Sequence, residues 1–570
     1  MNELLRRFSA NPRLTVELLI ASFFASVLAL AMPIFVIQVL NRYVAHGVDV
    51  TLATLTFGAL IAVVFEFAFR QIRLRLAVGL SEKADLDLSD AGFKSLLYSK
   101  PAALETVHLG KRQQAIAGIN SIYAAYNAVN ISSLLDVPFS MLFLLVLYLL
   151  SPLLGIIATV FVVLAFIAGT VTMTSMRRPT RQSADAAGNI APLIGTASRE
   201  LDMVRAFNAA SFLGNAWSLH QSKFNGLRQV IVNRQGLIQS FVQASAGVTG
   251  VSIIAVGGAL VVRGELDVGA LIGANILAAR ALQPVFRFTQ LVESFVTAQQ
   301  AVETLGQITL LPREGTEGSA KRNYTGSLEF KDVAFAYPGS KVPLFERFSL
   351  AIEPGRTMLV IGANGTGKST LARLIAGLIE PGRGEILADG INLLQIAPEW
   401  WRRQIVFLPQ EPVLLTASIE ENIGVNSHSL DERGVQSLID RVGLRGFIDE
   451  SADGIRTMVQ DNGRSLAVGI RRRIALARAL ATNGSLVILD EPTESFDKDG
   501  REIMGTVVSE LHRKGCTIIA FSHDRVAFKG ADILVDLNSK PIPETEIVQN
   551  SRPEKTTSPN GPTTASEAAS

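Results

Sequence analysis

The sequence predicts a membrane-embedded α-helical domain of six spans, followed by a cytoplasmic α/β domain of the P-loop type. Three observations carry this reading. Long uncharged apolar runs fall only before residue 280, Lys and Arg are unevenly placed around them, and a Gly-rich turn ending in Gly-Lys-Ser-Thr closes a short apolar strand at 362–370. Composition agrees: 570 residues, 48% hydrophobic and 18% charged, with a mean hydropathy of +0.31. Soluble domains carry about 25% charged residues, and disordered chains are far less apolar. The 46 Gly follow no Gly-X-Y period, which excludes collagen. Lys+Arg 53 against Asp+Glu 51 leaves +2, so there is no global basic excess and no nucleic-acid partner is expected. The lone Cys516 excludes intrachain disulfides and multi-thiolate zinc sites.

The spans follow from run length. Leu18–Asn41 is 24 residues, Val137–Met176 is 40 and Gln235–Val262 is 28. A membrane helix needs about 20 residues, so the longest run crosses twice, with Ser151-Pro152 at the turn. Thr51–Phe69 is apolar except for Glu66, and Val268–Phe288 carries Arg280 and Arg287. The expected spans are 16–40, 51–70, 133–150, 153–175, 238–262 and 268–288. The first run is too long for a cleavable signal and is expected to be retained. Glu66 is expected to lie at the inner membrane surface, next to Arg70. Arg280 either lies at that surface or faces a bundle interior, because a charge in lipid is costly.

Orientation follows from charge. Arg6, Arg7 and Arg13 precede the first span, and the segments 70–112 and 177–234 hold eight Lys/Arg each. The intervening loops carry at most one Arg, so the N-terminus, both long loops and everything after span six are placed in the cytoplasm. The periodicity of Ile119, Ile122, Tyr126 and Val129 extends the helices beyond the membrane. The membrane domain is thus read as 1–310, a polar linker as 311–326, a second domain as 327–538 and a disordered tail as 539–570.

In the second domain, Leu328–Val333, Phe348–Ile352 and Met358–Ile361 read as strands. The last ends in Gly362, Ala363, Asn364, Gly365, Thr366, Gly367, Lys368, Ser369 and Thr370, which is G-x-x-x-x-G-K-S between a strand and a helix. Glycines let backbone N–H groups approach phosphate oxygens, and the following helix offers its positive end. Lys368 would reach the β- and γ-phosphates of ATP, and Ser369 would hold Mg²⁺. A second strand, Leu486–Leu489, ends in Asp490-Glu491 and is expected beside the P-loop strand. Asp490 would order Mg²⁺ through water and Glu491 would polarise an attacking water. The run Arg471–Arg473 reads as a solvated face near the nucleotide.

These features together resemble the ATP-binding-cassette exporter half over about residues 14–538. The resemblance implies further roles. Tyr337 in FAYPG stacks on adenine. Gln410 in LPQEP senses Mg²⁺ and links to the membrane domain. Glu491 is the general base, Asp497 belongs to the D-loop, and His523 in FSHD contacts the γ-phosphate. Within exporters the segments 28–44, 135–158 and 276–284 resemble the type I secretion ATPases. That family implies an inner-membrane dimer working with a periplasmic adaptor and an outer-membrane channel to export an unfolded protein. It also implies loop tips near Leu104–Lys111 and Leu201–Phe207 that dock on the cassette. Some members carry an N-terminal peptidase-like domain; with a first span near residue 14, none is expected. A lipid or drug exporter, and a regulatory half that hydrolyses ATP weakly, remain alternatives.

One motif departs from the family. The signature LSGGQ is replaced by Leu466, Ala467, Val468, Gly469 and Ile470, ahead of an intact helix RRRIALARAL. In this family each ATP lies between one chain's P-loop and the other chain's signature. Losing the Ser hydroxyl and a Gly at this helix N-terminus implies impaired sites in a homodimer, or a heterodimer with one active site.

Overall fold

The computed structural model describes residues 2–45, 47, 49–315, 318, 323–340, 342–427, 430–494, 496–523 and 530–548. The chain divides into two compact units, Met1–Ser99 with Ala103–Pro312, and Lys100–Ala102 with Arg313–Ser570.

The chain up to residue 312 is helical. α1 (Asn2–Ala10) is followed by α2 (Pro12–Leu28) and α3 (Ala31–Gln38), which a π-helical turn extends to Val44. Then come α4 (Asp49–Tyr98), α5 (Pro101–Glu105), α6 (Leu109–Ala125), α7 (Ala128–Leu150), α8 (Pro152–Arg199), α9 (Leu201–Ala206), α10 (Ala210–Val262) and α11 (Val268–Thr309). Six stretches among the described residues are long and apolar enough to cross a membrane: Pro12–Val44, Asp49–Tyr98, Ala128–Leu150, Pro152–Arg199, Ala210–Val262 and Val268–Thr309. They contain the six expected spans. At 1.5 Å per residue the 50 residues of α4 reach about 75 Å, over twice a hydrocarbon core of about 30 Å. The helices therefore continue well beyond the membrane.

Apolar side chains face outward on the membrane portion of α4, with Phe57, Leu60, Val64 and Phe67 all exposed, as a lipid-facing surface requires. Helix seams use small residues instead. Ala274, Ala278 and Ala281 on α11 are buried, and a Cβ at Gly273 would collide with the Ile37 side chain of α3. Lipid gives helices no hydrophobic drive to associate, so close backbone approach must supply the attraction. Ser151 is extended and Pro152 opens α8, which makes the sharp turn between spans three and four.

The ionisable residues are matched locally. Glu66 pairs with Arg70 one turn on at 2.7 Å, so its charge is neutralised within α4. Asp136 of α7 pairs with Arg73 of α4 and lies 3.9 Å from Arg287 of α11. Arg280 lines a cavity of about 650 Å³ with Asn275, Gln283 and Arg287.

The second unit is α/β. An antiparallel sheet has the order β2 (Phe345–Ile352), β1 (Leu328–Phe335), β4 (Arg383–Ala388), β5 (Ile391–Asn392). A second sheet has the order β10 (Glu544–Ile547), β9 (Ile533–Asp536), β3 (Thr357–Ile361), β8 (Thr517–Ser522), β7 (Leu486–Asp490), β6 (Ile405–Leu408). From β9 to β6 neighbouring strands are parallel. In β7, Leu486 and Ile488 enter one core while Val487 and Leu489 enter the other. Both faces are covered, which is why these strands read as unbroken apolar runs. The helices are α12 (Lys368–Ile375), α13 (Pro398–Arg403), α14 (Ile419–Gly424), α15 (Glu432–Arg441), α16 (Arg445–Glu450), α17 (Val468–Leu480) and α18 (Lys498–Arg513).

Two expectations are corrected. The strand ending in Asp490 does not adjoin the P-loop strand; β8 lies between β3 and β7. Residues 539–548 are not a tail, because β10 pairs antiparallel with β9 and completes the sheet. Its residues Glu-Thr-Glu-Ile are all exposed, so this edge strand carries no apolar pattern that a sequence reading detects. Residues 549–570 of the expected tail, 316–317 and 319–322 of the expected linker, and Ser495 lie outside the described residues.

Topology gives a direct test. Cys516 is buried, so a Cys516→Ser background should be quiet and intact. Lys111→Cys is expected to react with a membrane-impermeant thiol reagent only from the cytoplasmic face, and Arg263→Cys only from the opposite face. The reverse pattern at either position would overturn the orientation.

Candidate nucleotide site

The P-loop is built by its backbone. β3 is buried at all five positions, and the chain leaves it into a loop where Gly365 and Gly367 have φ of +82° and +109°. Gly367 caps α12, and a Cβ there would lie 2.6 Å from the Leu344 side chain. Positive φ and close approach both demand glycine. Thr366 Oγ1 donates to the Ala363 carbonyl at 2.9 Å, while Asn364 is exposed at the turn. The loop thereby delivers the N-terminus of α12 to the C-terminal end of β3.

Lys368 is buried and turned back on this loop. Its Nζ donates to the Gly362 carbonyl at 2.6 Å and lies 3.2 Å from Glu491 Oε1. Glu491 is also buried, has φ of +48°, and has its other oxygen 3.0 Å from His523 Nδ1. Asp490 ends β7 beside it, hydrogen-bonded to Ser369. Burial pushes the Asp490 carboxyl above its ordinary pKa, partly offset by the Ser369 hydrogen bond. Asp490 Oδ1 is buried without a hydrogen-bond partner among the described residues. An orphaned carboxylate oxygen next to a Ser hydroxyl suits a hard divalent cation, so the donor set fits Mg²⁺.

Five expected residues thus converge at the C-terminal ends of parallel strands, where ligands of open α/β sheets bind: Lys368, Ser369, Asp490, Glu491 and His523. Tyr337 is part-exposed, and its OH is 2.7 Å from Thr370 Oγ1 at the start of α12. It borders a cavity of about 580 Å³ with Val342, Leu344 and Lys540. Gln410 is not turned towards Asp490; its side-chain amide donates to Glu494 at 3.1 Å. Asp497 caps α18 through the Gly500 N–H at 2.7 Å and pairs with Arg473. These contacts hold its carboxyl below the ordinary range, the Gly500 bond foremost.

The altered signature opens α17, as its position in the sequence implied. Ala467 is the N-cap and provides no side-chain cap, Val468 is exposed at the first turn, and Leu466 and Ile470 pack on the core. A Cβ at Gly469 would meet open space.

Three residues escaped the sequence reading. Arg472 is not on a solvated face: it is 3% exposed. It donates to the carbonyls of Glu491 at 3.0 Å, Gln410 at 2.6 Å and Glu494, tying the β7 end, the Gln410 loop and the signature helix together. Its neighbours Arg471 and Arg473 are part-exposed, so helical spacing alone distinguished it. Asn538 Oδ1 accepts from the Ala363 N–H at 2.9 Å, and Lys540 Nζ donates to the Thr366 carbonyl at 2.8 Å. Asn538 is the last residue of the expected second domain and Lys540 lies in the segment expected to be a tail; no local motif announces this clasp on the P-loop.

Comparison with known proteins decides the family. A model described as ABC transporter transmembrane region matches residues 15–285, and one described as ABC transporter matches 345–494. The chain belongs to the ABC transporters. Similar relatives include the toxin RTX-I translocation ATP-binding protein of Actinobacillus pleuropneumoniae, 28% identical over 555 residues. That match covers 96% of this chain and 77% of the relative. The leukotoxin translocation ATP-binding proteins of Mannheimia haemolytica and Bibersteinia trehalosi are also 28% identical, each over 95% of this chain and 77% of their own length. This ABC transporter is therefore a multi-pass membrane protein with a cytoplasmic ATP-binding domain, an exporter subunit resembling those translocation ATPases.

Asp490 yields a pH-dependent expectation. A carboxyl with a raised folded pKa lowers stability as pH climbs from the ordinary carboxylate range through the folded value, because the unfolded chain gives up its proton first. Asp490→Asn removes that penalty. Without nucleotide, the Tm gain of the variant over wild type should be larger near about pH 8 than near about pH 5. The extra stabilisation conferred by Mg²⁺ with ATP should be lost. Thermal unfolding under the four conditions checks both; a gain independent of pH would refute the charge explanation.

Proposed function

We propose that this chain is the ATP-hydrolysing half of a type I protein exporter. It would act in the inner membrane as a dimer, with a periplasmic adaptor and an outer-membrane channel, on a secreted protein substrate. The observation that carries the ATPase reading is the placement of Glu491, buried and in contact with both Lys368 and His523. The names of the relatives, which translocate an RTX toxin and leukotoxins, support protein cargo over lipids or drugs.

The residues divide the work as follows. Lys368 leaves the Gly362 carbonyl and Glu491 and takes β- and γ-phosphate oxygens. Ser369 and Asp490 would hold Mg²⁺, which neutralises phosphate charge when bound, and Gln410 would join them only on leaving Glu494. Losing Lys368 frees Glu491 Oε1 to accept a proton from the attacking water, with His523 holding Oε2. Tyr337 offers its ring to the base.

Two substitutions separate these roles. Lys368→Ala should weaken ATP binding at least about tenfold, since a phosphate-neutralising charge is lost. Glu491→Gln should leave ATP affinity unchanged or tighter, because Lys368 is no longer held by a carboxylate. Single-turnover hydrolysis by that variant should fall by about 100-fold or more, as loss of a general base requires. Unchanged turnover in Glu491→Gln would overturn the assignment.

A second reading, that the active dimer is a heterodimer, is favoured by Ala467 and Val468. The uncapped α17 lacks the hydroxyl and one of the two glycines through which a signature approaches the partner's nucleotide. The purified chain alone should turn over slowly. Ala467→Ser with Val468→Gly should raise that rate several-fold, and the Ser alone should add about 1 kcal/mol of helix capping. Robust turnover by the unaltered chain, indifferent to both changes, would show that the signature is not impaired.

A further inference from the structure

The chain that leaves β9 touches two parts of the nucleotide site. Leu537 N–H donates to the Ile361 carbonyl, at the end of β3, at 2.9 Å. Asn538 is fixed by Asp536 Oδ1, which accepts from its backbone N–H and from its side-chain amide, both at 2.8 Å. Asn538 Oδ1 in turn accepts from the Ala363 N–H of the P-loop. Lys540 then bridges two loops: its Nζ donates to the Thr366 carbonyl of the P-loop at 2.8 Å and to the Leu344 carbonyl at 2.5 Å. One residue on, the Pro541 carbonyl accepts from the Glu346 N–H at 2.7 Å. Leu344 ends the β1–β2 connection that carries Tyr337, and Glu346 lies just inside β2. That connection is itself ordered. Leu344 N–H donates to the Phe335 carbonyl at 2.7 Å, and the Phe335 and Tyr337 rings meet edge to face with centroids 5.1 Å apart. Tyr337, Leu344, Lys540 and Pro541 border the same cavity of about 580 Å³.

Lys540 is an exposed residue, yet its ammonium is engaged by backbone carbonyls from two different loops. Hydrogen bonds from an ionised donor are the stronger kind. The P-loop keeps other supports: the Asn538 bond, the Thr366 hydroxyl on the Ala363 carbonyl, and the positive φ of Gly365 and Gly367. What Lys540 adds is a set spacing between that loop and the connection carrying Tyr337. We propose that Lys540 is a positioning residue for ATP binding, holding the Tyr337 connection in register with the P-loop so that the nucleoside and the triphosphate of one molecule are bound together. A ligand that spans two subsites gains from both when their spacing is set before it arrives; otherwise binding must order them. The role rests on the reading of Tyr337 as the residue that takes the base, and it adds the link between base and phosphate recognition.

The test uses the full chain in phosphatidylcholine nanodiscs and two ligands, each with Mg²⁺. Adenylyl imidodiphosphate carries the nucleoside and is not hydrolysed; inorganic tripolyphosphate lacks the nucleoside. Titration calorimetry, with tripolyphosphate read by displacement of the analogue, gives both affinities. Lys540→Met keeps most of the side chain's length and removes the donor. It should weaken the analogue about fivefold and tripolyphosphate less than about twofold. Lys540→Arg, which still offers donors to both carbonyls, should restore most of the analogue's affinity. Equal weakening of both ligands in Lys540→Met would overturn the proposal, because it would reduce Lys540 to a positive charge near phosphate or to a support of the P-loop. Unchanged affinity for both would overturn it too. Tyr337→Ala separates the two roles: it should weaken the analogue and spare tripolyphosphate. If it spares both, the stacking role of Tyr337 fails, while a selective loss in Lys540→Met still assigns nucleoside positioning to Lys540.

Discussion

Lys368 and Glu491 are both withdrawn from water and lie 3.2 Å apart, and the rest of the cassette is arranged around that pair. Each is a charge that the sheet edge tolerates only because the other is present; removing one partner of such a pair costs about 3–5 kcal/mol. The pair also silences both groups. Lys368 cannot hold phosphate while it is bound to Gly362 and Glu491, and Glu491 cannot take a proton while one oxygen faces Lys368 and the other His523. An incoming polyphosphate is a stronger anion for Lys368 than a single carboxylate. In the proposed function, nucleotide binding and release of Glu491 as base would therefore be one event.

The supports of the pair come from several distant parts of the chain. Arg472 satisfies three carbonyls, at Glu491, Gln410 and Glu494, from a helix whose N-terminus is the signature. One buried guanidinium thus links the Glu491 segment and the Gln410 loop to α17. Asn538 and Lys540 fix the P-loop from the other side. Desolvation lowers the Lys540 pKa somewhat.

The membrane domain obeys a different constraint. Backbone groups are satisfied inside each helix, apolar side chains face outward, and small residues let helices approach. Within that frame any polar side chain must be matched or wetted. Glu66 with Arg70 and Asp136 with Arg73 are matched, and Arg280 and Arg287 of α11 line a cavity.

The six spans, their orientation and the P-loop were determined by the sequence alone, because each rests on local information: the length of an apolar run, the sign of a flanking loop, the φ that only glycine adopts. Lys368 and Ser369, at the start of the helix after the P-loop, and Asp490, Glu491 and His523, at or just past strand ends, were also legible there. The tertiary structure decided what depends on distant residues. It placed β8 between β3 and β7 and drew Glu-Thr-Glu-Ile into the sheet by edge pairing rather than burial. It buried Arg472 while leaving Arg471 and Arg473 part-exposed, and turned Gln410 to Glu494. It also placed Arg280 on the wall of a cavity. A pattern along the chain records how a segment treats its own solvent; which partner a buried charge finds depends on strand order and helix crossing, which no single segment contains.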